Sequence, residues 1–247
     1  MFKYFISSIL FGIVTTNLYC QKKITKQSAK DTITHKTGYG LRIGADISKP
    51  ILAILDKSYH GLELIGDYRI LKNWYVATEL GYEKETTFED YTTSTSQGSF
   101  FRLGANYNAY KNWLDMNNEI FIGGRYGFAL FEHSLDNYTP NVNVGTKPLP
   151  GNSGNNTTAY FPSTTNYAPQ KESGLTAHWI EMQIGIKVET MKNLFLGAGF
   201  SYKIMLSVNH QTNFKTLYSP GFNRVFESNT GFGFFYTISY LIPFVNK

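Results

Sequence analysis

The sequence predicts an all-β protein, an eight-stranded antiparallel up-and-down β-barrel that crosses a membrane. Three observations predict it. A two-residue alternation of apolar with small or charged residues recurs in eight segments. Short and long connections between those segments alternate strictly. The apolar face, summed over the segments, carries far too many large side chains to pack inside so narrow a barrel, so it must point outward. Composition agrees: the 247 residues include 18 Tyr, 19 Phe and 22 Gly with only 17% charged residues, which suits strands and turns better than helices. The net charge of +5 comes from scattered Lys and Arg with no basic block, which excludes nucleic acid as a partner.

The chain starts with Lys3 and the apolar stretch FISSILFGIV (5–14), then the more polar TTNLYC. Charged, apolar and cleavage regions in that order read as a secretory signal peptide over residues 1–20. Its apolar run is too short for a spanning helix, which needs about 20 residues. Cys20 is the sole cysteine. A lipoprotein signal places a small residue directly before the modified cysteine, whereas Tyr19 stands there, so cleavage after Cys20 is preferred over lipidation. The mature chain then begins at Gln21 and has no disulfide. Residues 21–36 are polar and aperiodic, a flexible lead-in, and the barrel with four long external loops occupies 37–247.

Each strand follows from its alternation. In YGLRIGADISK (39–49), Tyr39, Leu41, Ile43, Ala45 and Ile47 share one face and Gly40, Arg42, Gly44, Asp46 and Ser48 the other. The period returns in LELIGDYRI (62–70), WYVATELGYEK (74–84), FRLGANYN (101–108) and EIFIGGRYGFALF (119–131). It continues in HWIEMQIGIKVE (178–189), LFLGAGFSYKIML (194–206) and GFGFFYTISYLIPF (231–244). Lys72-Asn73, Lys111-Asn112 and Lys192-Asn193 mark the short turns, since Asn tolerates left-handed geometry. The long connections are 50–60, 85–100, 132–177 and 207–230. Tyr39, Tyr68, Trp74, Tyr107, Tyr240 and Phe244 fall near the turn ends, and Tyr82, Phe101, Phe128, Tyr202 and Phe232 near the loop ends. Two such bands are expected where amphipathic rings meet the two lipid–water interfaces.

YGLRIGADISKP, LELIGDYRI followed by KNWYVATELGYE, and EIFIGGRYGF resemble a family of uncharacterised Bacteroidota outer-membrane proteins. The resemblance covers nearly all of the chain after the lead-in. It implies an outer-membrane barrel in a Gram-negative bacterium and transfers no catalytic residue. The last strand, YTISYLIPF, resembles the aromatic signal by which the barrel-assembly machinery recognises its substrates, except that Val245, Asn246 and Lys247 follow Phe244.

The inward face is expected to carry Arg42, Arg69, Arg102, Arg125, Lys187 and Lys203 against Asp46, Glu63, Asp67, Glu79, Glu119 and Glu181. Six charges of each sign without an excess read as an ion-pair network filling a narrow lumen, rather than a selective channel. His60, His133, His178 and His210 lie at or near the long connections. His133 and His178 flank the same loop, so a rim metal site, or an acyl-transfer site with Ser58, Ser134 or Glu181, is the competing enzymatic reading, as a small channel is the competing transport reading. Scattered solvated histidines are the simpler account, and no cofactor is expected. The longest loop is rich in Asn, Thr, Ser, Gly and Pro, with Tyr138, Tyr160, Phe161 and Tyr167 as candidate contacts for an extracellular protein or glycan. The expected partners are therefore outer-membrane lipid, the assembly machinery and that external ligand. The function expected is structural or surface interaction.

Overall fold

The structure, a computed structural model, describes residues 39–110, 117–139, 169–210, 212 and 214–245. The signal peptide, Cys20, the lead-in, the turn at Lys111-Asn112 and the loop aromatics Tyr160, Phe161 and Tyr167 lie outside these residues. Eight strands form the barrel: β1 (Tyr39–Asp46), β2 (Tyr59–Leu71), β3 (Trp74–Glu89), β4 (Thr92–Asn108), β5 (Glu119–Tyr138), β6 (Gln170–Met191), β7 (Leu194–Val208) and β10 (Thr230–Val245). Between them lie a helix, α1 (Ser48–Leu55), and a small hairpin of β8 (Tyr218–Ser219) and β9 (Asn223–Arg224). Each barrel strand pairs antiparallel with its sequence neighbours, and β10 returns to β1 to close the ring. Closure matters because a bilayer offers no water to unpaired backbone groups.

Outward positions are apolar along the whole circuit, as at Ile43, Leu80, Leu103, Ile122, Ile184, Leu196 and Ile238. The turn-end aromatics all face out, with Trp74 packed on Tyr107 at 5.2 Å and Tyr68 near Phe244 at 6.5 Å. At the other end Tyr82, Phe101 and Phe232 are exposed, and Tyr202 packs across the ladder against Phe232 at 5.0 Å. The turn between β6 and β7 uses Asn193 at φ 66°, the left-handed conformation that Asn adopts at little cost.

All four long connections differ from the sequence expectation; that over 132–177 is shortened from both ends, because β5 runs on to Tyr138, a residue expected in the loop, and β6 starts at Gln170. The segment expected as a loop over 85–100 is mostly strand: β3 and β4 run on until only Asp90 and Tyr91 separate them. Its Thr and Ser residues hide an apolar period, yet β-branched Thr suits a ladder, and Thr86 and Thr95 hydroxyls meet across it at 3.1 Å. The segment 50–60 is largely occupied by α1, and β1 stops at Asp46 instead of running to Lys49. The connection from β7 to β10 folds back on itself as the β8–β9 hairpin.

The inward face holds large rings as well as charges, because glycines opposite make room for them. Trp179 is fully buried, and a Cβ on Gly127, its ladder partner, would come within 2.1 Å of the indole. Gly81 makes the same allowance for Phe100, its partner on β4, at 2.2 Å. These glycines are thus one half of ring-and-gap pairs whose rings occupy the lumen.

Candidate functional site

All twelve charges expected on the inward face are buried there. Near the turn end, Arg42 donates to Asp67 at 2.5 Å and to Glu119 at 2.7 and 3.0 Å, while Lys187 reaches the other Asp67 oxygen. The Arg42 guanidinium also lies over Tyr75, 4.6 Å from the ring centre. At mid-barrel, Arg102 contacts Glu63, Glu79 (2.7 Å) and Glu181 (3.2 Å), and Arg125 donates to Glu79 at 3.1 Å. Gln183 links the two halves of this layer by donating to Glu79 and Glu181. Four of the twelve serve the backbone: Arg69 donates to the carbonyls of Leu71 and Lys72, Arg125 to those of Ala105 and Gly124, Lys203 to that of Gly221, and Asp46 accepts from the Ser48 and Tyr236 amides. Two cavities between these charges measure about 30 and 20 Å³, each room for a water or two.

The four histidines do not converge. His60 is exposed on β2, and His210 accepts a hydrogen bond from the Thr216 amide. His133 points inward, fully buried and stacked on Phe214 at 5.5 Å. His178 sits on the outer face, bonded to the Tyr126 hydroxyl at 2.7 Å and packed on Phe128 at 5.0 Å. Because His178 pairs with Phe128 on β5, it stands five residues from His133 along the ladder, roughly 16 Å, on the opposite face. The shared rim site considered for these two residues is therefore overturned by the strand period itself. Ser134 and Ser58 bond to Asp136 and Asp56 and meet none of these histidines. Among the described residues no group of three or more His, Cys, Asp or Glu could hold a metal ion.

A different feature concentrates chemistry at the loop end. β1 is only eight residues long, pairing Asp46 with Thr237 on β10 and Ala45 with Leu64 on β2. Its two neighbours continue past it without a partner on that side, β2 over 59–63 and β10 over 230–236. The wall has a lateral gap there, and α1 lies against it. Asp46 anchors the arrangement by accepting the Ser48 amide at 2.8 Å and the Tyr236 amide at 3.2 Å, while the Ile47 amide donates to the Tyr236 carbonyl at 2.7 Å. Pro50 is tolerated in the first helical turn, where its missing N–H has no intrahelical acceptor. The helix ends at Asp56, whose carboxylate accepts the Ser58 amide and hydroxyl; these bonds hold it below the usual carboxylate range.

Between α1 and the free edge of β10 lies a cavity of about 500 Å³. Its outer side is apolar: Ile51, Leu52, Phe232, Phe234 and Tyr236, with Phe232 and Phe234 each 71% exposed. Its inner side is polar: Lys49, Asp56, Tyr59, Glu85 and Tyr218. Lys49 reaches through the gap to Glu83 at 2.6 Å, and Glu83 accepts from Tyr59 (3.0 Å), Tyr218 (2.7 Å) and the Gly221 amide (2.8 Å). Burial, then the Glu83 carboxylate, push the Tyr218 phenol up, so it stays a donor. At the level of Glu85 the outward residues are His60 and Lys84, polar neighbours that place this carboxyl above the apolar band. Burial first, then Asp56 and Glu83, push Glu85 up to about 7. Glu83 was within reach of sequence reasoning, because it stands two and four residues beyond Gly81 and Glu79 on the same face. Lys49 was not, since the alternation runs on through it and conceals the helix.

A family model described as a domain of unknown function, DUF6048, matches residues 1–247. No curated protein matches the chain. A crystal structure of Neisserial surface protein A is similar at 13% identity and a TM-score of 0.44, covering 84% of this chain and 100% of that one.

Proposed function

We propose that this chain, which belongs to the DUF6048 family of unknown function, is an outer-membrane barrel of a Gram-negative cell, exported by a leader cleaved after Cys20, with a structural or surface-interaction role and no transport path. The observation that carries this reading is the pairing of an outward apolar band, edged by aromatics, with a lumen filled by buried ion pairs and rings. A conducting barrel needs a continuous aqueous path, and a selective one a surplus of one charge sign as well, whereas cavities of about 20 and 30 Å³ between paired charges oppose ion passage. The long-connection end would face the exterior, and Tyr138 near the tip of β5 would contact an extracellular protein or glycan. Lipid and the barrel-assembly machinery are the other partners of this reading. The test is conductance of the purified protein in a planar bilayer: the plugged lumen predicts no steady current, and a steady open current would overturn the proposal.

A further inference from the structure

We propose that the gap beside β1 is a binding site for a single amphiphile, which inserts one acyl chain between α1 and β10 and presents a head-group amine to Glu85 and Asp56. The inference rests on the membrane-barrel reading above. The cavity's volume of about 500 Å³ falls within the ~300–1,000 Å³ of small-molecule sites. Its apolar side prolongs the outward row of β10, in which Ile238 and Tyr240 are followed by Tyr236, Phe234 and Phe232. That row faces hydrocarbon, so hydrocarbon is what meets the open side of the cavity. The backbone favours an opening here, because β10 over 230–236 has no strand on that side, and α1 meets it through Ile47 and the Asp46 carboxylate.

The polar side selects the head group. Two carboxylates, Glu85 and Asp56, line the cavity, and its one lining ammonium, that of Lys49, is spent on Glu83 at 2.6 Å. Glu85 has no ion pair among the described residues, and the charges that act on it are the carboxylates of Asp56 and Glu83. An amine brought within reach would relieve that repulsion, whereas an anionic head would add to it. On β3, Glu85 stands three residues beyond Tyr82, a loop-end aromatic, toward the long connections, which is the side on which a head group would lie.

The test inserts the full barrel into nanodiscs made with equal amounts of phosphatidylethanolamine and phosphatidylglycerol of identical chains, then counts retained lipid by native mass spectrometry. The expected result is one retained lipid, phosphatidylethanolamine over phosphatidylglycerol by roughly fivefold, the factor expected of a part-buried charge contact. Leu52→Trp, which fills the cavity from a half-exposed helix position, should abolish retention. Glu85→Gln keeps the shape and should reduce the preference to about twofold or less while leaving a lipid bound. An inserted barrel that retains no lipid, that holds both lipids equally, or that ignores Leu52→Trp overturns this inference alone. A chain that does not enter the bilayer overturns it together with the membrane reading.

Discussion

Replacing Arg102 by Met removes the hub of the mid-barrel layer with little change in length, so it tests whether the lumen is held by charge pairing. Arg102 is 6% exposed and contacts Glu63, Glu79 and Glu181. The three carboxylates are not left equal. Glu79 keeps Arg125 at 3.1 Å and Gln183 at 3.3 Å, and Glu181 keeps Gln183 at 2.9 Å and the Trp179 indole at 3.3 Å. Glu63 loses its ion pair and is 3% exposed, so one buried carboxylate keeps as counter-charge only the Lys49 ammonium, which is already spent on Glu83. Breaking a buried pair from one side costs about 3–5 kcal/mol. With an unfolding slope near 2 kcal/mol per molar, the urea midpoint in lipid vesicles should fall by about 1.5–2.5 M. The assay is tryptophan fluorescence against urea, checked by the heat-dependent gel mobility of folded barrels. Adding Glu63→Gln to Arg102→Met removes the stranded charge and should recover roughly 2 kcal/mol. A variant within about 1 kcal/mol of wild type, or a double variant no better than the single, would refute the reasoning and imply a lumen wet enough to solvate its charges.

Other outcomes follow from the same geometry. Gly127→Val drives a side chain into the Trp179 indole and should cost about 1–3 kcal/mol or more, with partial rescue by Trp179→Leu, read by the same urea transition. Glu85 binds its proton more tightly in the folded chain than in the unfolded one, so its contribution is fully present below about pH 4.5 and is lost as pH rises through about 7; Glu85→Gln should flatten the stability profile across that window. His133→Ala should cost about 0.5–1.5 kcal/mol through the lost stack on Phe214, while His178→Phe on the outer face should stay within about 0.5 kcal/mol of wild type. Intact-mass measurement of the exported protein should give a chain beginning at Gln21, and a diacylated Cys20 would contradict the cleavage reading.

The parts of the fold that one strand determines by itself were legible in the sequence. Alternation assigns a residue to a face without knowledge of its neighbours, so Arg42, Glu79 and Lys187 could be placed inward from their parity alone. Which inward charge meets which is a different matter, because it depends on register and on chords across the lumen. Arg102 on β4 joins Glu63 on β2 and Glu181 on β6, contacts that skip a strand on either side. The histidines fail for a related reason: flanking one loop brought His133 and His178 close in connectivity, but an odd separation along the ladder sends them to opposite faces.

Glycine shows how far composition can mislead when the pairing is missing. A glycine-rich inward face suggests an emptier lumen than the one formed, because each gap is meaningful only with the ring that enters it: Gly127 with Trp179, Gly81 with Phe100. The gap beside β1 belongs to the same class of property. Nothing within YGLRIGAD marks it as too short, since eight residues make an ordinary strand; it is short only against β2 and β10, which extend past it. The continuing alternation through Ile47, Ser48 and Lys49 then disguises the chain's departure from the sheet, with Pro50 the one local sign of a break. A site formed by a difference in length between neighbours has to be sought in the ladder, where the unpaired edge of β10 and the unpaired charge of Glu85 lie on opposite sides of one cavity. That juxtaposition of open backbone, apolar wall and surplus carboxylate is why the wall, rather than the histidine rim or the lumen, is the place to look for a ligand.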